Sequence, residues 1–140
     1  MKFTVDDVRF PTSKDLTGSD AIINNATFIG NNANRGGGVY IELGEATITN
    51  ALINDNTATT GGGIYLSEGS IEIINSTIVY NLGSYGIYGH ATQPEEGQVI
   101  TIVMDISNSI VWGNAGSYQF YFDSDAALTV NNICSQGTEF

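Results

Sequence analysis

Apolar residues along this chain come in short alternating runs, rich in Ile, Val, Thr, Tyr and Phe and separated by Gly and Asn. No stretch keeps a helical period, and the composition of the runs is that of strands and turns. Within residues 51–75 the pattern predicts strands at 52–54, 64–66 and 71–73. Successive side chains of a strand point to opposite faces. Ile53, Ile64, Leu66, Ile71 and Ile73 are therefore assigned inward, and Asn54, Tyr65 and Glu72 outward. The same reading sends Phe28, Ile78 and Val111, then Val39, Ile87 and Phe120, then Ile48, Ile106 and Val130 inward.

The pattern repeats. Residues 26–50, ATFIGNNANRGGGVYIELGEATITN, align without a gap on residues 51–75, ALINDNTATTGGGIYLSEGSIEIIN, at a spacing of 25. A fixed period of this length is the mark of a solenoid. The phrase restarts at residues 76–81, and Gly86-Ile87-Tyr88 answers GGGIY. Residues 89–97 read as an insertion, after which residues 104–108 restore the register. A further copy opens at 109–114 and closes through 119–121 and 128–132, while 3–6 and 21–25 fit a degraded first copy. The expectation is about five rungs of ~25 residues, the first poorly matched and the last short. Residues 1–20 are read as a first strand with a cap or tail around Pro11, and 21–140 as the repeats. Stacking equivalent strands gives three parallel sheets, an all-β parallel β-helix.

Two columns of Asn mark the turns. One is Asn25, Asn50, Asn75, Asn108 and Asn132; the other is Asn31, Asn56, Asn81 and Asn114, with Asp6 assigned to it in the first rung. Asn tolerates the left-handed backbone of a sharp corner, and identical stacked amides bond along the axis. The triplets Gly36-Gly37-Gly38 and Gly61-Gly62-Gly63 allow bends where a side chain would collide.

These GGGIY-type repeats resemble the right-handed parallel β-helix proteins of the pectin-lyase-like group. Residues 108–114, NSIVWGN, followed by 130–137, resemble the last rungs of large bacterial surface β-helix proteins. The resemblance covers about residues 21–137 and implies a right-handed coil. It spans polysaccharide lyases, glycosidases and adhesins, so it speaks for fold more than activity. Lyases of this kind use a carboxylate cluster for calcium and a basic residue on one outer sheet. The positions that answer are Glu72 and Asp105, flanked by Thr47 and Thr129, and Arg35 is the only basic residue within the repeats. Two stacked carboxylates suit a hard cation or simply a solvated face. The related glycosidases use clustered Asp residues with a Gly-His pair; Gly89-His90, Asp123 and Asp125 are the matching positions, with His90 placed in the insertion. The neighbouring Asp motifs of those enzymes are missing.

Charge narrows the partners. Four basic residues against fifteen acidic ones give a net charge of −11. That disfavours nucleic acid, anionic membranes and anionic polysaccharides. No run is long and apolar enough to span a membrane, and MKFTVDDVRF carries no apolar core of a signal peptide. Relatives of this kind are usually secreted or surface-exposed, so the compartment stays open, as does whether the chain is a piece of a longer one. Cys134, the one cysteine, is read as a buried, inert thiol. No cofactor is expected.

One outward column stands out. Tyr40, Tyr65, Tyr88 and Tyr121 recur at one position in consecutive rungs, which predicts a ladder of phenols. Such a ladder stabilises a sheet by self-stacking, and it also offers an aromatic track to a glycan. A second outward set, Ile29, Val79, Ile110 and Trp112 with Leu52 close by, is too apolar for a solvated face and calls for a cover: the insertion, a terminal tail or a second subunit. The sequence thus points to a non-catalytic structural or binding module, carbohydrate-facing through the Tyr ladder. The alternative is a carbohydrate-active enzyme, a polysaccharide lyase or glycoside hydrolase. Self-association is expected through the C-terminal end of the stack or the Val79/Trp112 face.

Overall fold

The computed structural model describes residues 2–10, 14–15, 18, 20–91, 102–116, 118–123 and 126–136. Among these there is no helix, and the strands pair in parallel from turn to turn. The chain is a parallel β-solenoid. Val39 lies beside Ile64 and Ile64 beside Ile87; Ala46 lies beside Ile71 and Ile71 beside Met104. These are the registers that the 25-residue repeat and the inserted rung require.

Each turn has three main faces. Residues 21–24, 46–49 and 71–74 stack with Ile102–Ser107 and Ala126–Asn131 on the first. Residues 27–29 stack with Leu52–Asn54, Thr77–Val79, Ile110–Trp112 and Cys134–Ser135 on the second. Residues 39–42 and 64–67 stack with Ile87–His90 and Phe120–Phe122 on the third. The three expected sheets prove to be faces of one wrapped, 13-stranded sheet among the described residues. Asp20–Ile29 passes round Asn25 within the sheet, and Val39–Thr49 and Ile64–Ile74 turn where Leu43 and Glu68 take left-handed φ values of 55° and 53°. A separate two-stranded strip, Asn32–Arg35 with Thr57–Thr60, lies between the second and third faces in chain order. Its polar sequences, NANR and TATT, lack the apolar alternation that marks a strand, so it escapes a pattern reading.

The interior is filled by the columns assigned to it. Ile23, Ile48, Ile73 and Ile106 form one; Phe28, Ile53, Ile78 and Val111 another; Val39, Ile64, Ile87 and Phe120 a third; all are buried. Burying each such aliphatic side chain contributes about 1.5–3 kcal/mol relative to exposure. Val130, also assigned inward, is only half-buried, in the last strand of its column.

The two Asn columns separate physically. Asn25, Asn50, Asn75, Asn108 and Asn132 all adopt positive φ, between 49° and 54°, and stand exposed at the corner between the first two faces. Asn31, Asn56, Asn81 and Asn114 are buried, and none of them has positive φ. At that second corner the left-handed residue is the one before: Gly30, Asp55, Tyr80 and Gly113. The buried amides form the internal ladder. The Asn56 backbone and side-chain NH groups both donate to Asn81 Oδ1, at 3.0 and 2.9 Å. Asn81 repeats this onto Asn114 Oδ1 at 3.0 and 2.8 Å. Each side-chain amide also donates to a carbonyl of the preceding turn, Phe28, Ile53 or Ile78. Gln119 Oε1 accepts from the Asn114 backbone and side chain at 3.1 and 2.9 Å and ends the ladder. The glycine triplets are needed for contact between turns: a Cβ on Gly38 would lie 2.8 Å from the Gly63 carbonyl oxygen.

Several expectations are corrected. The corner asparagines bound about four turns rather than five, spaced 25, 25, 33 and 24 residues apart. Lys2–Phe10 stacks on Asp20–Ile29 with Lys2 beside Asp20, a return too short for a full rung. That register puts Asp6 beside Asn24, at the outer corner, and not in the Asn31 column. It also draws residues 7–10 into the strand, while Lys14–Asp15 pairs with Val39 and Tyr40. The insertion begins later than residue 89: Gly89 and His90 belong to strand Ile87–His90, beside Leu66 and Ser67. Cys134 is exposed, because it continues the outward Thr77 and Ile110 positions rather than an inward column.

Candidate functional site

The third face is built by simple alternation. Val39, Ile64, Ile87 and Phe120 point in; Tyr40, Tyr65, Tyr88 and Tyr121 point out; Ile41, Leu66, Gly89 and Phe122 point in. Gly89 leaves the room that Phe122 fills, since a Cβ there would meet the phenyl ring. The next outward column is Glu42, Ser67 and His90, followed by Asp123 on the last turn. The tyrosine ladder is thus flanked by a second, polar ladder two residues on. The +2 offset from the tyrosines is its signal in the sequence, and His90, expected in the insertion, lies instead in strand Ile87–His90.

The rings do stack. Tyr40 and Tyr65 have centroids 5.4 Å apart, Tyr65 and Tyr88 5.1 Å, and Tyr88 and Tyr121 5.8 Å. Tyr85, which the pattern reading did not include, joins them. It comes from the shortened turn before Ile87 and lies on Tyr121 at 4.3 Å with planes 9° apart. Stacking consumes ring faces, so the ladder is not a uniform track. Tyr65 is 3% exposed and is further covered by the Arg35 guanidinium, 5.4 Å from its centroid. Tyr121 is 37% exposed and belongs to the terminal strand of the sheet path.

Charge is distributed unevenly along the face. At the Tyr40 end stand Arg35 and Glu42. Burial and then Glu42 raise the Tyr40 pKa, and Arg35 opposes them; burial likewise raises that of Tyr65. At the Tyr121 end a single carboxylate oxygen, Asp123 Oδ2, accepts from the Tyr88 hydroxyl at 2.5 Å and faces His90 Nδ1 at 2.7 Å. Burial, reinforced by this hydrogen bond and the Asp123 charge, holds the Tyr88 phenol far above its ordinary range.

The other candidates fare differently. His90 and Asp123 are brought together, whereas Asp125 lies outside the described residues. Glu72 and Asp105 are neighbours on the first face, between Thr47 and Thr129, and both are exposed. No group of three or more potential metal-ligating side chains forms among the described residues. On the second face Trp112 is 41% and Ile110 45% exposed, with Tyr80 beside them against Gly113. Residues 92–101 and 137–140, which include the expected covers, lie outside the described residues. No described helix is long and apolar enough to cross a membrane.

Fold and face together define a parallel β-solenoid with a stacked aromatic outer column. No protein-family model, curated protein or solved structure matches the chain.

Proposed function

We propose that this chain is a non-catalytic binding module of the right-handed, pectin-lyase-like kind, and that its tyrosine face takes up a glycan. The observation that carries the reading is the stack of five phenols ending at Tyr121, beside hydrogen-bonding groups on Asp123 and His90. Sugars present apolar C–H surfaces and rows of hydroxyls. Phenol rings and a carboxylate answer both, on a rigid strand scaffold. Neutral oligosaccharides should bind the parent protein in a calorimetric titration and leave no new reducing ends. Binding should be lost in the Tyr121→Ala variant. An absence of binding by every oligosaccharide would leave the stack a purely stabilising feature.

The His90–Asp123 contact favours one second reading, a glycoside hydrolase. Glycosidases generally need two cooperating carboxyl groups, and Asp123 is the carboxylate bonded to His90 among the described residues. New reducing ends from any plant or bacterial polysaccharide, abolished by Asp123→Asn, would establish that reading.

Self-association belongs to the same proposal. The exposed Ile110, Trp112 and Tyr80 side chains, with Asp55 one turn before Tyr80 at the corner, support pairing of two copies over the second face. Sedimentation at micromolar concentration should show a species above the 14.9 kDa monomer, and Trp112→Ser should return it to monomer. A parent protein that sediments only as a monomer would remove this element.

A further inference from the structure

We infer that the Tyr121 end of the stack selects a cationic amino sugar, one with a free ammonium group, over neutral and uronic sugars. The inference rests on the glycan reading of the same face and adds the ligand's charge.

Three observations converge. First, the accessible aromatic surface is at this end: Tyr65 is covered, while Tyr121 stands in the last strand of the path with Tyr85 and Tyr88 behind it. Second, Asp123 is only half satisfied among the described residues. Oδ2 takes both Tyr88 and His90, and Oδ1 makes no hydrogen bond among the described residues. Third, the two ends of the face are charged differently. At the far end Arg35 stands with Glu42 and lies over Tyr65, whereas at the open end the Asp123 carboxylate stands with His90.

A carboxylate oxygen beside phenol rings distinguishes ligands by charge. A sugar hydroxyl would gain one hydrogen bond from Oδ1. An ammonium group would gain a charge-assisted bond, about twice as strong, together with attraction to the ring faces. A uronic acid would meet repulsion from Asp123 and from the net charge of −11. Acidity alone would attract any polycation, so the specific content is the role of Asp123 and Tyr121.

The test is calorimetric titration of the full chain, at low ionic strength, with three disaccharides: of glucosamine, of N-acetylglucosamine and of galacturonic acid. The glucosamine form should bind at least tenfold more tightly than the acetylated form, and the uronic form most weakly. The gap should close in Asp123→Asn and narrow with added salt in the parent protein. It should persist in the charge-matched control Glu45→Gln, an exposed carboxylate beside Ser70 in strand Val39–Thr49. Tyr121→Ala should weaken both aminohexose ligands. The salt series needs no variant and so stands if a substitution unfolds the chain. Equal binding of the two forms would overturn the charge selectivity while leaving the glycan reading intact. So would a gap reduced as much by Glu45→Gln as by Asp123→Asn. Failure of all three sugars to bind would overturn both.

Discussion

The asparagine column inside the solenoid and the tyrosine column outside it are both made by placing one residue type at the same point of every turn. They end differently. The asparagine ladder uses its amides on neighbouring turns and closes on Gln119, which accepts from Asn114 and donates its own amide to the Asn114 carbonyl at 3.2 Å. The tyrosine ladder closes on nothing comparable among the described residues: its last ring is exposed and Asp123 beside it has an open oxygen. Repetition by itself therefore says little about role. A ladder whose last member is satisfied from within the chain is complete as scaffold; one whose last member is not leaves a free surface, which the proposed function gives to a ligand.

The largest effects should come from the inner ladder and the core it borders. Ile53→Asp places a lone charge in a dry stack and should abolish folding, seen as loss of the β signal in circular dichroism. Asn81→Ala orphans the Asn56 backbone NH and the Ile53 carbonyl. At about 1–3 kcal/mol for each buried group left unpaired, the loss in chemical denaturation should exceed that of any single outer substitution. If Asn81→Ala were silent, the two ladders would not differ as described.

Breaking the outer ladder should cost less. Changing Tyr65 and Tyr88 together to Ser removes stacked pairs at about 0.5–1.5 kcal/mol each and should leave a folded protein, weakened by a few kcal/mol at most. The phenols also predict an alkaline weakness. Tyr40, Tyr65 and Tyr88 all have pKa values raised in the fold, chiefly by burial. Their stabilising contribution is complete below the ordinary phenol value of about 10. Above it the unfolded chain loses those protons first, so stability should fall with rising pH, less steeply in Tyr88→Phe. Equal slopes for parent and variant would deny the coupling at Tyr88.

The smallest effects belong to the outer corners. Asn75→Ala should cost about 1–2 kcal/mol because a Cβ without a compensating side chain is strained at φ 51°. Asn75→Gly should be near neutral, since glycine adopts that backbone freely. Thermal unfolding of the two variants checks the order.

The fold was legible because the repeat fixes register: Tyr40 on Tyr65 and Ile48 on Ile73 follow from the alignment alone. The difference between the Asn columns was not, because the same amide serves a left-handed corner and a buried ladder, and Asn75 and Asn81 are separated by depth and backbone φ, which one residue type does not reveal. Half of the candidate site was legible. The tyrosines announce themselves by identity, whereas Tyr85 arrives from an irregular turn with no register. His90 and Asp123 stand out through the Gly-His pair, but the length change that begins just after strand Ile87–His90 makes Gly89-His90 look like the start of a loop. Tyr65 is covered by Tyr40 and Tyr88 and also by Arg35, a residue from the polar strip that no hydrophobic pattern marks.

The claim that the tyrosine face is the ligand surface is tested most directly by nuclear magnetic resonance, titrating the isotopically labelled chain with a neutral oligosaccharide. Saturable shifts are expected at Tyr85, Tyr88, His90, Tyr121 and Asp123, with Glu72, Asp105 and the Asn56–Asn81 ladder unmoved. Shifts confined to the first or second face, or none at any residue, would contradict it.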